Sequence, residues 1–151
     1  MSDIAASSHG STPLAGLAAS AWAYPALEVA HIVGIALLLG SLVLFELRVW
    51  GLAAALPPRD FARLALRVSL AGFALAAASG LAMFATQPDE LLANPAFRCK
   101  LALLALAGLN AALFHLRAGV ARLDRTARWQ SLLSLGLWIG VIICGRSIAY
   151  V

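Results

Sequence analysis

The sequence predicts an all-α fold: an integral membrane four-helix bundle with both termini on the non-cytoplasmic side. Three observations carry that prediction. Of the 151 residues, 62% are hydrophobic and 12% charged, with a mean hydropathy of +0.90, far more apolar than soluble domains. Apolar runs recur near the ~20-residue length that crosses bilayer hydrocarbon. Arginines gather at alternate connections between those runs, the pattern that keeps loops on the cytoplasmic side.

The elements follow in order. Residues 1–20, "MSDIAASSHGSTPLAGLAAS", are small and polar with one acid and no Lys or Arg, so they lack the basic start of a secretory signal. They read as a polar tail ahead of a bundle over residues 21–151. The first span covers about residues 22–47, and Pro57 and Pro58 are expected to end it. The second covers about 61–85, the third about 97–116 and the fourth about 129–149.

Positive charge sets the orientation. Arg48, Arg59, Arg63 and Arg67 flank the first connection, and Arg117, Arg122, Arg125 and Arg128 the third. Only Arg98, Lys100 and Arg146 stand at the other ends. Spans one and three therefore run inward, and a multi-pass location in a bacterial inner membrane is expected. The pI of 9.8 comes from these loop arginines and calls for no nucleic acid. No dinucleotide fingerprint, P-loop, Gly-x-Ser-x-Gly or Cys-x-x-Cys occurs, so the familiar soluble catalytic motifs are missing.

Ionisable residues inside the spans are the functional signal, because each costs about 2.5–3.5 kcal/mol on insertion scales. In "YPALEVAHIVGIALLLG", Glu28 and His31 stand one helical turn apart. At 100° per residue Glu28, His31 and Glu46 fall within about 60° of one another, with Gly34 on the other side of His31. Lys100 and Arg98 open span three, and Arg146 and Tyr150 share a face at the end of span four. The expected site is an outer-half cluster of Glu28, His31, Lys100, Arg146 and Tyr150. The competing reading makes Glu28 and His31 a structural hydrogen-bonded pair.

At the inner ends Glu46, Arg48, Arg63, Arg67 and His115 recur. Arginines there ordinarily snorkel to phosphate, and Glu46 with Arg48 reads as a salt bridge. His115 reads as interfacial, and Asn110 as helix–helix glue. Gly136 with Gly140, and Ala76 with Gly80, form small-xxx-small pairs for close helix packing.

The stretches "WAYPALEVAHIVGIALLLGS", "FELRVWGL", "NPAFRCKLALLALAGLNAALFH" and "LWIGVIICGRSIAY" resemble a bacterial domain-of-unknown-function family of short four-span membrane proteins. A looser likeness links them to copper-resistance membrane proteins and b-type cytochrome bundles. The resemblance covers all spans except most of the second, and it implies the topology rather than a chemistry. The recurring polar positions it carries over are Glu28, His31, Glu46, Arg48, Lys100, Asn110, His115 and Arg146. Glu46 stands where that family more usually has Asp.

Three functions remain open. The first is a b-type haem or quinone site for electron transfer, since bundles build such sites between facing helices. Its cofactor-binding residues would be His31, Glu28, Lys100, Arg146 and His115. A bis-histidine iron site from His31 and His115 fails on depth, because His31 lies about 10 Å and His115 about 27 Å from the outer end at 1.5 Å per residue. His31 would then need Met83, His9, a second protomer, or no second axial ligand. The second is copper handling, for which His31, Met83, Cys99 and Cys144 supply imidazole, thioether and thiolate. Cys144 and Arg146 point about 200° apart, which counts against it. A disulfide between Cys99 and Cys144 is the remaining cysteine expectation. The third is an accessory subunit without chemistry of its own, surrounded by lipid in a homodimer or a larger membrane complex.

Overall fold

The computed structural model describes residues 22–52, 57–117 and 125–151. The expected tail, His9 and most of the third connection lie outside the described residues. Those described form helices and no strand: α1 (Ala23–Val49), α2 (Pro58–Phe84), a short α3 (Pro88–Ala93), α4 (Pro95–Leu116) and α5 (Arg125–Ser147). Among the described residues, α1, α2, α4 and α5 are the four helices long and apolar enough to cross a membrane.

Local chemistry explains the ends. α1 does not run on to Pro57. It stops at Gly51, whose φ of +98° is one only glycine adopts without strain. Gly51 N–H donates to Arg48 O and Leu52 N–H to Leu47 O, the paired closing bonds that use up a helix's last carbonyls. The prolines instead start α2, with Pro58 where a first-turn N–H would be unused anyway. Asn94 caps α4 by accepting from Ala96 N–H and Phe97 N–H, with Pro95 following it.

α1 packs on α2 and α4 on α5, and the two hairpins join along α1 and α5. The starts of α1 and α4 and the ends of α2 and α5 share one end, called here the termini end; the opposite end carries the first and third connections. The tightest contact is α1 on α2. A Cβ added at Gly34 would lie 2.6 Å from Ala76 N, and one at Gly72 would lie 2.6 Å from Leu38 N. Bare glycines thus let the two backbones touch. Of the expected small-residue pairs, Ala76 takes part in this contact. In the other pair, a Cβ on Gly136 would meet nothing within 4 Å, while one on Gly140 would meet the Leu103 side chain at 3.1 Å.

At the loop end Val49, Phe114 and Ala127 form a buried cluster with Phe45 against it, and the Phe45 and Phe114 rings meet edge to face at 5.8 Å. Trp50 Nε1–H donates to Ser131 Oγ at 2.8 Å, tying α1 to α5. Asn110 Nδ2–H donates to Gln130 O, tying α4 to α5 as its reading as glue anticipates. Aromatic pairs also join the hairpins: Phe73 with Trp138 at 6.3 Å, and Phe84 stacked on Phe97 at 5.6 Å. Trp22 and Tyr150 at one end, and Trp129 at the other, are strongly exposed, as interfacial aromatics are.

Candidate functional site

His31 sits half-buried on the α1 face that meets α2. Its Nδ1 lies 2.8 Å from Ala76 O and 3.2 Å from Ser79 Oγ. A carbonyl only accepts, so Nδ1 carries the proton in that contact, and in the neutral ring Nε2 then holds the lone pair. The ring edge rests against Gly80, where an added Cβ would come within 3.1 Å of His31 Cε1. Ser79 is buried and donates to Leu75 O. The support of His31 is therefore built from α2, the span whose small residues point in the sequence to close helix packing. A single Ser in an Ala-rich apolar run, directly before a glycine, is the available signal.

Lys100 of α4 is half-buried and lies close enough to His31 to act on it electrostatically. Its stem runs along α5: a Cβ added at Gly145 would be 3.6 Å from Lys100 Nζ. Cys99 and Cys144 lie within reach of each other, beside Lys100, and both are free thiols. Met83 is half-buried on α2, one turn beyond Ser79 toward the termini end. The termini end thus gathers His31, Ser79 and Lys100, with Met83 and the two thiols nearby.

Other expected members stand elsewhere. Glu28 is exposed, although on an ideal helix it shares the azimuth of buried Glu46. The reason is tertiary, because α5 meets α1 at the loop end, through Trp50 and Ser131, so one stripe is covered at one end and open at the other. Arg146 is also exposed. Its Nη2 donates to Tyr150 OH at 2.6 Å, and its guanidinium stands over the Tyr150 ring at 4.9 Å. The expected pairing of Glu28 and His31 with both Lys100 and Arg146 across an interior is thereby reduced to His31 with Lys100. His115 occupies the last turn of α4 at the loop end, exposed, with Nδ1 donating to Ala111 O. It lies far from His31, at the opposite end.

Asn94 is the termini-end residue that sequence reasoning passed over. Besides capping α4, it donates through Nδ2 to Val151 O at 2.7 Å and Ile148 O at 3.2 Å. An Asn-Pro step at a helix start was its signal.

At the loop end, Glu46 is only 3% exposed and neither carboxylate oxygen has a hydrogen-bond partner. The expected salt bridge with Arg48 is not formed at this carboxylate. Two residues apart on a helix, the side chains point about 200° apart.

Among the described residues no group of three or more His, Cys, Asp or Glu converges as a metal site. Comparison with protein-family models, with curated proteins and with solved structures finds no match for this chain.

Proposed function

We propose that this chain is a small redox-type protein of the bacterial inner membrane that binds a redox-active ring, a b-type haem or a quinone, at His31. The observation that carries the reading is the fixed tautomer of His31. Ala76 O holds Nδ1–H and leaves Nε2 as a ready ligand for iron or acceptor for a quinol hydroxyl. Haem needs only one or two protein ligands because the porphyrin supplies four nitrogens, which suits a lone imidazole better than bare copper would be suited. Met83 is the other residue that would help hold a haem iron, through its thioether sulfur. Lys100 supplies a cation for a haem propionate or a quinone oxygen. When bound, either group would supply the electron transfer itself; the protein's part is to ligate, orient and charge-match it.

Copper handling is the second reading, and the closeness of the Cys99 and Cys144 thiols favours it. Under either reading the termini end faces outward, lipid surrounds the spans, and a homodimer or larger membrane complex would complete the assembly. The test is a reduced-minus-oxidised absorption spectrum of the purified protein, with metal and lipid-quinone analysis on the same sample. A haem band or bound quinone that His31→Ala removes, in protein that still inserts, is expected. Copper without either selects the second reading. A wild-type protein holding none of the three, or a signal indifferent to His31→Ala, would leave an accessory subunit as the better account.

A further inference from the structure

The loop end holds a buried acid that the His31 reading does not use. Glu46 lies in the last turn of α1, 3% exposed, with both carboxylate oxygens shut off from solvent and without a hydrogen-bond partner. Buried polar atoms are nearly always partnered, and an ionised carboxylate would give up its whole hydration shell here with nothing returned. The surroundings are apolar or already committed. Val49, Phe114 and Ala127 are the buried cluster of this end. Ser131 accepts from Trp50 and donates to Arg128 O, and Asn110 donates to Gln130 O. Among the described residues, Ser134 of α5 is the hydroxyl within reach of the carboxyl, short of hydrogen-bonding geometry.

Among the described residues, the charged groups of this end do not neutralise it. Arg63 and Arg67 on α2, His115 and Arg117 at the end of α4, and Arg125 and Arg128 on α5 are all exposed. Arg48, on α1 itself, is half-buried and engaged. The carboxylate lacks the convergent oxygens a metal cation needs, and no metal-type cluster exists among the described residues. A proton is the one cation that requires no further ligands.

We infer that Glu46 is a proton-binding site, a carboxyl that stays protonated at neutral pH and exchanges its proton through the loop end of the structure. Protonation gives the group a donor that a small rotation brings onto the Ser134 hydroxyl. The route follows from depth, since Glu46 is one turn from Trp50, whereas His31 lies fifteen residues back along α1, about 22 Å at the helical rise. The two sites are physically separate, and neither inference rests on the other.

Infrared spectroscopy of the whole chain in lipid bilayers tests this directly. At neutral pH the wild type should show a carboxylic-acid carbonyl stretch that Glu46→Gln lacks. A difference spectrum containing only carboxylate bands would overturn the proposal. A hydrophobic carbodiimide, which attacks protonated carboxyls in apolar surroundings, gives a second reading on the unmutated protein. Peptide mass mapping should find Glu46 modified and exposed Glu28 spared, with Glu46 labelling falling about tenfold per pH unit once the carboxyl ionises. An unlabelled Glu46 would refute the site. Protection by sodium chloride but not by choline chloride would make it a sodium site and equally overturn the proposal.

Discussion

Gly34→Ala is the sharpest perturbation the fold offers. The new Cβ would stand 2.6 Å from Ala76 N and 2.8 Å from Gly72 O, against 3.4 Å for ordinary contact. These are backbone atoms of a neighbouring helix, which have no rotamer to move, so α1 and α2 must part by 3.4 less 2.6, about 0.8 Å. Overpacking of this kind costs roughly 1–3 kcal/mol, and two simultaneous backbone collisions place Gly34→Ala near the upper figure. The better helix propensity of Ala returns about 1 kcal/mol, leaving a net loss of about 2 kcal/mol. The same separation stretches the contact between His31 Nδ1 and Ala76 O from 2.8 Å beyond hydrogen-bonding range. Unfolding in mixed micelles by increasing sodium dodecyl sulfate, followed by tryptophan fluorescence, measures the loss. Gly136→Ala is the control, because its Cβ meets nothing within 4 Å, and it should be neutral or stabilising by up to about 1 kcal/mol. The reasoning fails if Gly34→Ala matches the wild type, or if Gly136→Ala is the more damaging of the two.

Asn94→Ala should destabilise by about 1–3 kcal/mol, since it removes a helix cap and the bonds to Ile148 O and Val151 O together; Asn94→Asp keeps the cap and should recover part of the loss, read by hydrogen exchange at the end of α5. Mild oxidation of the wild type should join Cys99 to Cys144, seen as one cross-linked peptide without reductant, whereas two thiols that still alkylate afterwards would contradict their proximity. Reporter fusions after Pro57 and after Asp124 should both read as cytoplasmic; a split between them would break the alternation of spans, and two periplasmic readings would invert the orientation.

By itself the sequence determines the four spans, because apolar length and the spacing of charges are properties of the chain alone. It also singles out candidate residues, since an imidazole, an ammonium and a carboxylate inside apolar runs are conspicuous wherever they fold. Partnership between them is not local. Glu28 and Glu46 share an azimuth on α1, yet one is exposed and the other buried, and it is at the loop end that Trp50 of the α1 terminus is tied to Ser131 of α5. Gly136 and Gly140 match a packing motif, but the backbone contact forms at Gly34, Gly72 and Ala76, where complementary surfaces on two helices coincide. His31 finds its partner on α2, at Ala76 O, because a main-chain carbonyl in a helix leaves no mark in the sequence and is reached only where bare glycines let two helices touch. The tertiary structure thus decides which polar groups meet, since meeting depends on interhelical distance and crossing, which periodicity along one helix does not encode.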